Sequence, residues 1–193
     1  METTLELFPN SADVYKELGC SWMDVSKNRK AAEIFRRGVQ VADSRAYGLI
    51  LAAQMAWAEG NNERAWDLAD EAVREDPRDA RTYHFRAFMQ SSLAAGPEDR
   101  KSQDVEINDY NYIIEHLPHY HRISIIHNNL GYVHYEMKDY ERANKHFDLS
   151  MAMCPHHAQT YYNKAVCVAD MGNMELAATY CDRMIQINPE HSD

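Results

Sequence analysis

The chain has 193 residues, 45% of them apolar and 26% charged, with a net charge of −10 and a pI near 5.4. That charge repels phosphate backbones and anionic lipid, so no nucleic-acid partner is expected. No apolar run reaches the ~18 residues of a membrane-crossing helix, so membrane insertion is not expected either.

The start, Met1 to Glu6, has neither a basic opening nor an apolar secretory core, and a cytoplasmic location is expected on that basis. Cys20, Cys154, Cys167 and Cys181 show no CxxC spacing and fall inside helical patterns. They read as small apolar core residues in a reducing compartment.

Leu5 to Pro9 reads as the tail of a second helix, like Ile185 to Pro189, so residues 1–10 are expected to be a partial helix or cap remnant. In 12–25, Val14, Tyr15, Leu18, Trp22 and Val25 fall at helical spacing. Ser11 can cap that helix. A break at Ser26 to Asn28 follows, then a second stripe of Ala31, Ile34, Phe35, Gly38 and Val41. Helix 46–59 ends at Gly60, Asn61 and Asn62, a turn and capping signal. Helix 62–75 carries Ala65, Leu68, Ala69, Ala72 and Val73, and Asp76 and Pro77 stop it. A polar stretch, Ala95 to Asp104, reads as a longer loop between the two helices of the third block. His119 to Ser124 marks a junction that either lengthens the next helix or bends the stack. Later second helices open at Tyr140 and Met174 and close at Pro155 and Pro189.

These blocks repeat. Gly19, Ala53 and Ala87 recur 34 residues apart, and Gly131 and Ala165 resume the same step. A period of this length predicts stacked antiparallel helix pairs. Glycine in mid-helix costs about 1 kcal/mol against alanine, so Gly19 and Gly131 imply a closely approaching neighbour. Ala31, Ala65, Ala143 and Ala177 mark the matching contact, with Phe35, Tyr110 and Phe147 filling the gap.

The blocks resemble the tetratricopeptide repeat family. Tyr15, Leu18, Gly19, Trp22, Ala31 and Phe35 carry the pattern in the first block. Leu130, Gly131, Ala143, Phe147 and Pro155 carry it in the fourth, and Tyr161, Ala165, Ala177 and Pro189 in the fifth. The third is weakest, since Glu106 stands in an alanine slot. The resemblance implies an all-α solenoid, a right-handed superhelix of five repeats at about 12–45, 46–79, 80–120, 121–157 and 158–191. These would form one array over 11–193.

It also implies that first helices line a concave groove. Carried over by register, the groove positions include Asp13, Lys16, Cys20, Tyr47, Ile50, Gln54, Trp57, Arg81, His84, Phe88, Asn128, Tyr132, Tyr135, Glu136, Gln159, Tyr162, Val166 and Asp170. The residues expected to bind a protein or peptide are Lys16, Tyr47, Gln54, Trp57, Arg81, His84, Phe88, Asn128, Tyr132, Tyr135 and Tyr162. Aromatic anchors suit an extended or helical peptide, with affinity falling only modestly with salt. The family's carboxylate clamp is incomplete: Lys16 and Arg81 match, but Cys20, Leu51 and Phe85 replace its other residues.

The expected function is a non-catalytic scaffold or adaptor, with no cofactor and no catalytic residues. The alternatives are a self-assembling structural protein, paired through uncapped ends as a homo-oligomer, or the recognition portion of a larger enzyme or sensor. An apolar stripe of Tyr180, Met184 and Ile187 is expected to lie exposed on the last helix. The histidines His116, His119, His121 and His127, with Cys154, His156 and His157, fall at junctions and on differing faces, so no metal site is expected. No phosphate loop, nucleophile elbow or HExxH motif occurs.

Overall fold

The computed structural model describes residues 2–93 and 100–188 and places eleven helices among them, with no strand. They are α1 (Glu2–Leu7), α2 (Ala12–Asp24), α3 (Asn28–Gln40), α4 (Arg45–Ala58), α5 (Asn62–Glu75), α6 (Ala80–Leu93), α7 (Arg100–His116), α8 (Ile123–Glu136), α9 (Tyr140–Met153), α10 (Ala158–Asp170) and α11 (Met174–Ile187). The backbone forms two compact units, residues 1–89 and 90–193.

In the first unit α2 packs on α3, α3 on α4 and α4 on α5. The core is a seam of Tyr15, Phe35, Ile50, Leu51 and Leu68, closed by Ala31, Ala53, Ala65, Ala69 and Ala72. Burying a side chain such as Phe35, at 0% exposure, contributes about 2–3 kcal/mol. In the second unit α7 packs on α8, α8 on α9, α9 on α10 and α10 on α11. Tyr110, Ile113, Ile126, Leu130, Val133 and Phe147 fill its core.

The mid-helix glycines have the neighbour that the sequence implies. A Cβ at Gly19 would lie 2.3 Å from the Phe35 ring, and one at Gly131 would lie 2.7 Å from the Phe147 ring. In two repeats where the same slot is alanine, Ala53 and Ala165, the residue sixteen positions on is small, Ala69 and Cys181.

Hairpin turns repeat a single device. Side-chain oxygens of Asn61, Asp139 and Asn173 accept hydrogen bonds from the backbone N–H of Arg64, Arg142 and Leu176, capping α5, α9 and α11. The residue closing the preceding helix adopts a left-handed conformation, at Ser26, Gly60, Lys138 and Gly172. The prolines between blocks are tied back too. The Tyr15 hydroxyl donates to the Pro9 carbonyl at 3.0 Å, and the Tyr161 hydroxyl to the Pro155 carbonyl at 3.2 Å.

Two expectations need correction, and one alternative is removed. The stretch 95–104 is not wholly a loop: α7 begins at Arg100, and residues 94–99 lie outside the described residues. Those first turns are polar, so no apolar period betrays the helix until Val105. The apolar stripe on α11 is also misplaced. Tyr180, Met184 and Ile187 are half-buried, with the Tyr180 ring 6.5 Å from Tyr161 and beside the Lys164 ammonium. The exposed apolar residues there are Met174, Leu176 and Ile185. Of the two readings of the His119 to Ser124 junction, a longer next helix is excluded, because α8 has the ordinary 14 residues. The junction is taken up by turns at Leu117 to Tyr120 and Tyr120 to Ile123. Pro189 lies outside the described residues.

Candidate partner-binding faces

On the first unit, α4 and α6 place Trp57 and Phe88 together, ring centroids 5.6 Å apart and edge-on at 71°. Phe88 is 44% exposed, Trp57 is half-buried, and His84 is half-buried one turn before Phe88. Edge-on packing fixes the rings while leaving area free for a partner.

The other assigned positions of this unit are engaged internally. Tyr47 is 2% exposed, donates its hydroxyl to Asp13 and lies under the Arg81 guanidinium, 4.0 Å from ring centroid to Cζ. Burial, with the Asp13 hydrogen bond, raises the Tyr47 pKa. Arg81 donates to both oxygens of Asp43 at 3.1 and 3.2 Å and to Asp79 at 2.8 Å. The planar guanidinium suits such forked pairing. Gln54 is 3% exposed, and its amide donates to the Cys20 sulfur at 3.6 Å. Lys16 pairs with Glu17 at 3.0 Å on the surface.

Tyr47 and Gln54 are therefore corrected from groove contacts to rungs that join one first helix to the next. Arg81 has its charge satisfied at home. The clamp positions Leu51 and Phe85 are buried apolar residues.

On the second unit, α8 and α10 present Tyr132 at 41% exposure and Tyr162 at 50%. Tyr135 lies 6.1 Å from Tyr132 between ring centroids and donates to Asp170 at 2.7 Å. That hydrogen bond, with burial second, pushes the Tyr135 hydroxyl up to about 12. Asn128 is corrected: it is 5% exposed and accepts from the Asn163 amide at 3.1 Å, so it too is a rung.

Glu106 carries more weight than its odd place in the repeat indicated. It is 5% exposed. Burial pushes its carboxyl up to about 8, a hydrogen bond from Tyr110 pulls the other way, and Glu136 and Asp109 push up again. The signal was present in the sequence as an acid in a slot built for alanine.

His127, His134 and His146 form a stack between α8 and α9, with centroids 5.4 Å and 5.6 Å apart along it. Among the described residues no group of three His, Cys, Asp or Glu side chains is arranged to hold a metal ion. The four cysteines are all free. No helix among the described residues is long and apolar enough to cross a membrane.

Consecutive packed helix pairs, repeating glycine-aromatic contacts and rungs one repeat apart define an α-solenoid repeat protein. The tetratricopeptide repeat family profile matches residues 3–80 and 128–192, and the chain belongs to that family. Repeats of this family generally mediate protein–protein interactions. Comparison with curated protein sequences yields no match.

Among solved structures the chain is similar to PilF of Pseudomonas aeruginosa, with a TM-score of 0.70 and 19% identity over 92% of this chain and 76% of that one. It is similar to YrrB, a tetratricopeptide repeat protein with an unusual peptide-binding site, at 0.60 and 16% over 98% and 93%. It is also similar to PilW, a type IV pilus biogenesis factor, at 0.70 and 13% over 91% and 77%. At such identities the likeness shows a shared fold.

Proposed function

We propose that the chain is a non-catalytic adaptor that holds a peptide segment or partner protein on its first-helix faces. The observation carrying this reading is the exposure of Phe88, Tyr132 and Tyr162 at first-helix positions whose neighbours are buried or internally bonded. Large rings cost apolar exposure, and rings of this kind dominate binding energy where partners cover them. The peptide-binding site named for YrrB supports the reading by analogy of fold. The working contacts are Trp57, His84 and Phe88 on the first unit and Tyr132, Tyr135 and Tyr162 on the second. Lys16 serves as a surface charge beside them. The five repeats, at the boundaries given above, act as one array in the cytoplasm.

The test is selection of a displayed random-peptide library on the folded chain. Selected peptides should lose binding to Trp57→Ala, Phe88→Ala or Tyr132→Ala while helicity by circular dichroism is unchanged. Peptides that bind all three variants as well as the parent would sink the reading.

A further inference from the structure

One second helix reverses a charge that three others share. Counting from the inward alanines Ala31, Ala65, Ala143 and Ala177, the positions two before and five after lie seven apart on one side of the helix. They are Glu63 and Asp70 in α5, Glu141 and Asp148 in α9, and Glu175 and Asp182 in α11, but Arg29 and Arg36 in α3. An acid in the first turn of a helix is the favourable choice, and a cation there is costly. Asp70 and Asp148 also pair with Arg86 and Lys164, sixteen residues on, at 2.8 and 2.9 Å. Sixteen residues beyond Arg36 stands the uncharged Ala52.

The reversal builds a basic patch on an acidic chain. Residues 27–37 carry five cations, Lys27, Arg29, Lys30, Arg36 and Arg37, and one acid, Glu33, in a chain of net charge −10. All five cations are exposed. Two rings hold three of them in place. The Lys30 and Lys27 ammonium nitrogens lie 4.7 and 5.3 Å from the Trp22 ring centroid, and the Arg37 Cζ lies 5.3 Å from that of Tyr15. Contacts of this kind restrain long side chains and lower the ordering cost when a partner arrives. Residues 26–30 line an open hollow of about 360 Å³. Arg36 reaches Glu59 at 3.4 Å across exposed surface, a pair weak enough to be exchanged for another carboxylate.

We propose that the α2–α3 corner of the first unit receives an acidic segment of a partner protein, with carboxylates seated on Arg29, Arg36 and Lys27. The site lies on a second helix and is independent of the aromatic first-helix faces. Charge selects a short segment over larger polyanions. A nucleic acid or an anionic membrane meets the repulsion of the whole chain, whereas a few carboxylates meet the patch within a screening length. The acids in the same register of α5, α9 and α11 repel the same ligand and so direct it to α3. Arg29 and Arg36 stand about 10 Å apart along the helix. An extended segment advances about 10 Å in three residues, so carboxylates at every third position match both.

The test uses the full chain and a fluorescent peptide with glutamate at every third position among glycine and serine, read by anisotropy. Its control peptide carries glutamine at those positions. The glutamate peptide should bind at least about tenfold tighter than the glutamine peptide. Raising salt from about 50 to about 300 mM should weaken it severalfold. Arg29→Glu should weaken it about tenfold and Arg36→Gln about threefold, whereas Arg183→Glu, on exposed α11, should leave it unchanged. Arg29→Glu installs the residue that α5, α9 and α11 carry in this register, so the helix should still form, and Arg36→Gln keeps the test open if it does not. Trp57→Ala should bind the glutamate peptide as the parent does.

Equal loss from Arg183→Glu and Arg29→Glu would mean diffuse attraction to any cation and would overturn the site. A glutamine peptide bound as tightly as the glutamate peptide would overturn the acidic ligand. Vesicles of phosphatidylserine and phosphatidylcholine, or oligothymidylate, bound more tightly than the glutamate peptide and lost in Arg29→Glu, would assign the patch to a membrane or a nucleic acid instead. A low-salt dimer in sedimentation that Arg29→Glu dissolves would assign it to a second copy. Each of these overturns the acidic-segment site and leaves the adaptor reading to its own test, the peptides selected through Trp57, Phe88 and Tyr132.

Discussion

The Tyr135 hydroxyl on α8 donates to the Asp170 carboxylate on α10 across 35 residues, at 2.7 Å. A step of 35 residues also joins Asn163 to Asn128, and one of 34 joins Tyr47 to Asp13 and Gln54 to Cys20. Each rung bonds a first helix to the first helix of the adjoining repeat. Apolar seams can slide by a turn at little cost, but directional hydrogen bonds cannot. The rungs therefore fix the register in which the remaining first-helix side chains are displayed.

Tyr47→Phe tests a rung directly. The hydroxyl is lost from a ring that is 2% exposed, while its acceptor Asp13 is exposed and regains water. The cost should be about 1 kcal/mol, read from the urea unfolding midpoint. Binding at Trp57 should persist, because the ring still supports the Arg81 guanidinium. A stability unchanged from the parent would show that the bond contributes nothing.

Gly131→Ala should destabilise despite the better helix propensity of alanine. The new methyl would meet Phe147 at 2.7 Å and the Ala143 carbonyl oxygen at 3.2 Å. Overpacking of this kind costs about 1–3 kcal/mol, against about 1 kcal/mol gained in the helix. Adding Phe147→Leu should recover part of the loss, since the two residues share one volume. If the double variant were no better than Gly131→Ala, the shared-volume account would be wrong.

Much of this was legible in the sequence, and the parts that were not have physical reasons. The 34-residue step, the turn and capping signal at Gly60 to Asn62 and the openings at Tyr140 and Met174 place helix ends to within about a residue, because such signals are local. Depth is not local. The register puts Tyr47, Gln54 and Asn128 on the groove side of their helices, but how far a neighbouring first helix closes over them depends on its own side chains. Polar composition hid the first turns of α7, since solvated helical turns and loops share the same residue types. Glu106 looked like a flaw in a repeat, and its significance appears only when α8 brings Glu136 beside it.

Lys138→Gly should stabilise the chain. Lys138 holds a φ of 62°, the position that Gly60 and Gly172 occupy in other repeats. A side chain in that conformation costs about 1–2 kcal/mol, partly offset by the greater chain entropy glycine loses on folding. A net gain of about 0.5–1 kcal/mol in unfolding free energy is expected, with Gly172→Ala showing the opposite sign. Ser26, at φ 58°, should behave as Lys138 does.

Stability should decline on both sides of a maximum near neutral pH, for separate reasons. Burial, then His127, His134 and Lys145 beside it, holds the His146 imidazole down to about 4. Burial lowers His127 and His134 as well. In the unfolded chain these rings titrate at about 6.5, so as pH falls below that value the unfolded state takes up protons that the folded state refuses. Stability is full above about 6.5 and lost toward 4.

Glu106 works in the opposite direction. Its folded carboxyl titrates at about 8 and its unfolded one at about 4.3, so its contribution is present at low pH and lost as pH rises through 8. His146→Gln should flatten the acid limb, by about 1 kcal/mol for a ring that keeps partial contact with water. Glu106→Gln should flatten the alkaline limb by an amount on the order of a few kcal/mol. Urea midpoints measured across this range check both, and an alkaline limb unchanged in Glu106→Gln would mean that its carboxyl is not the group held protonated.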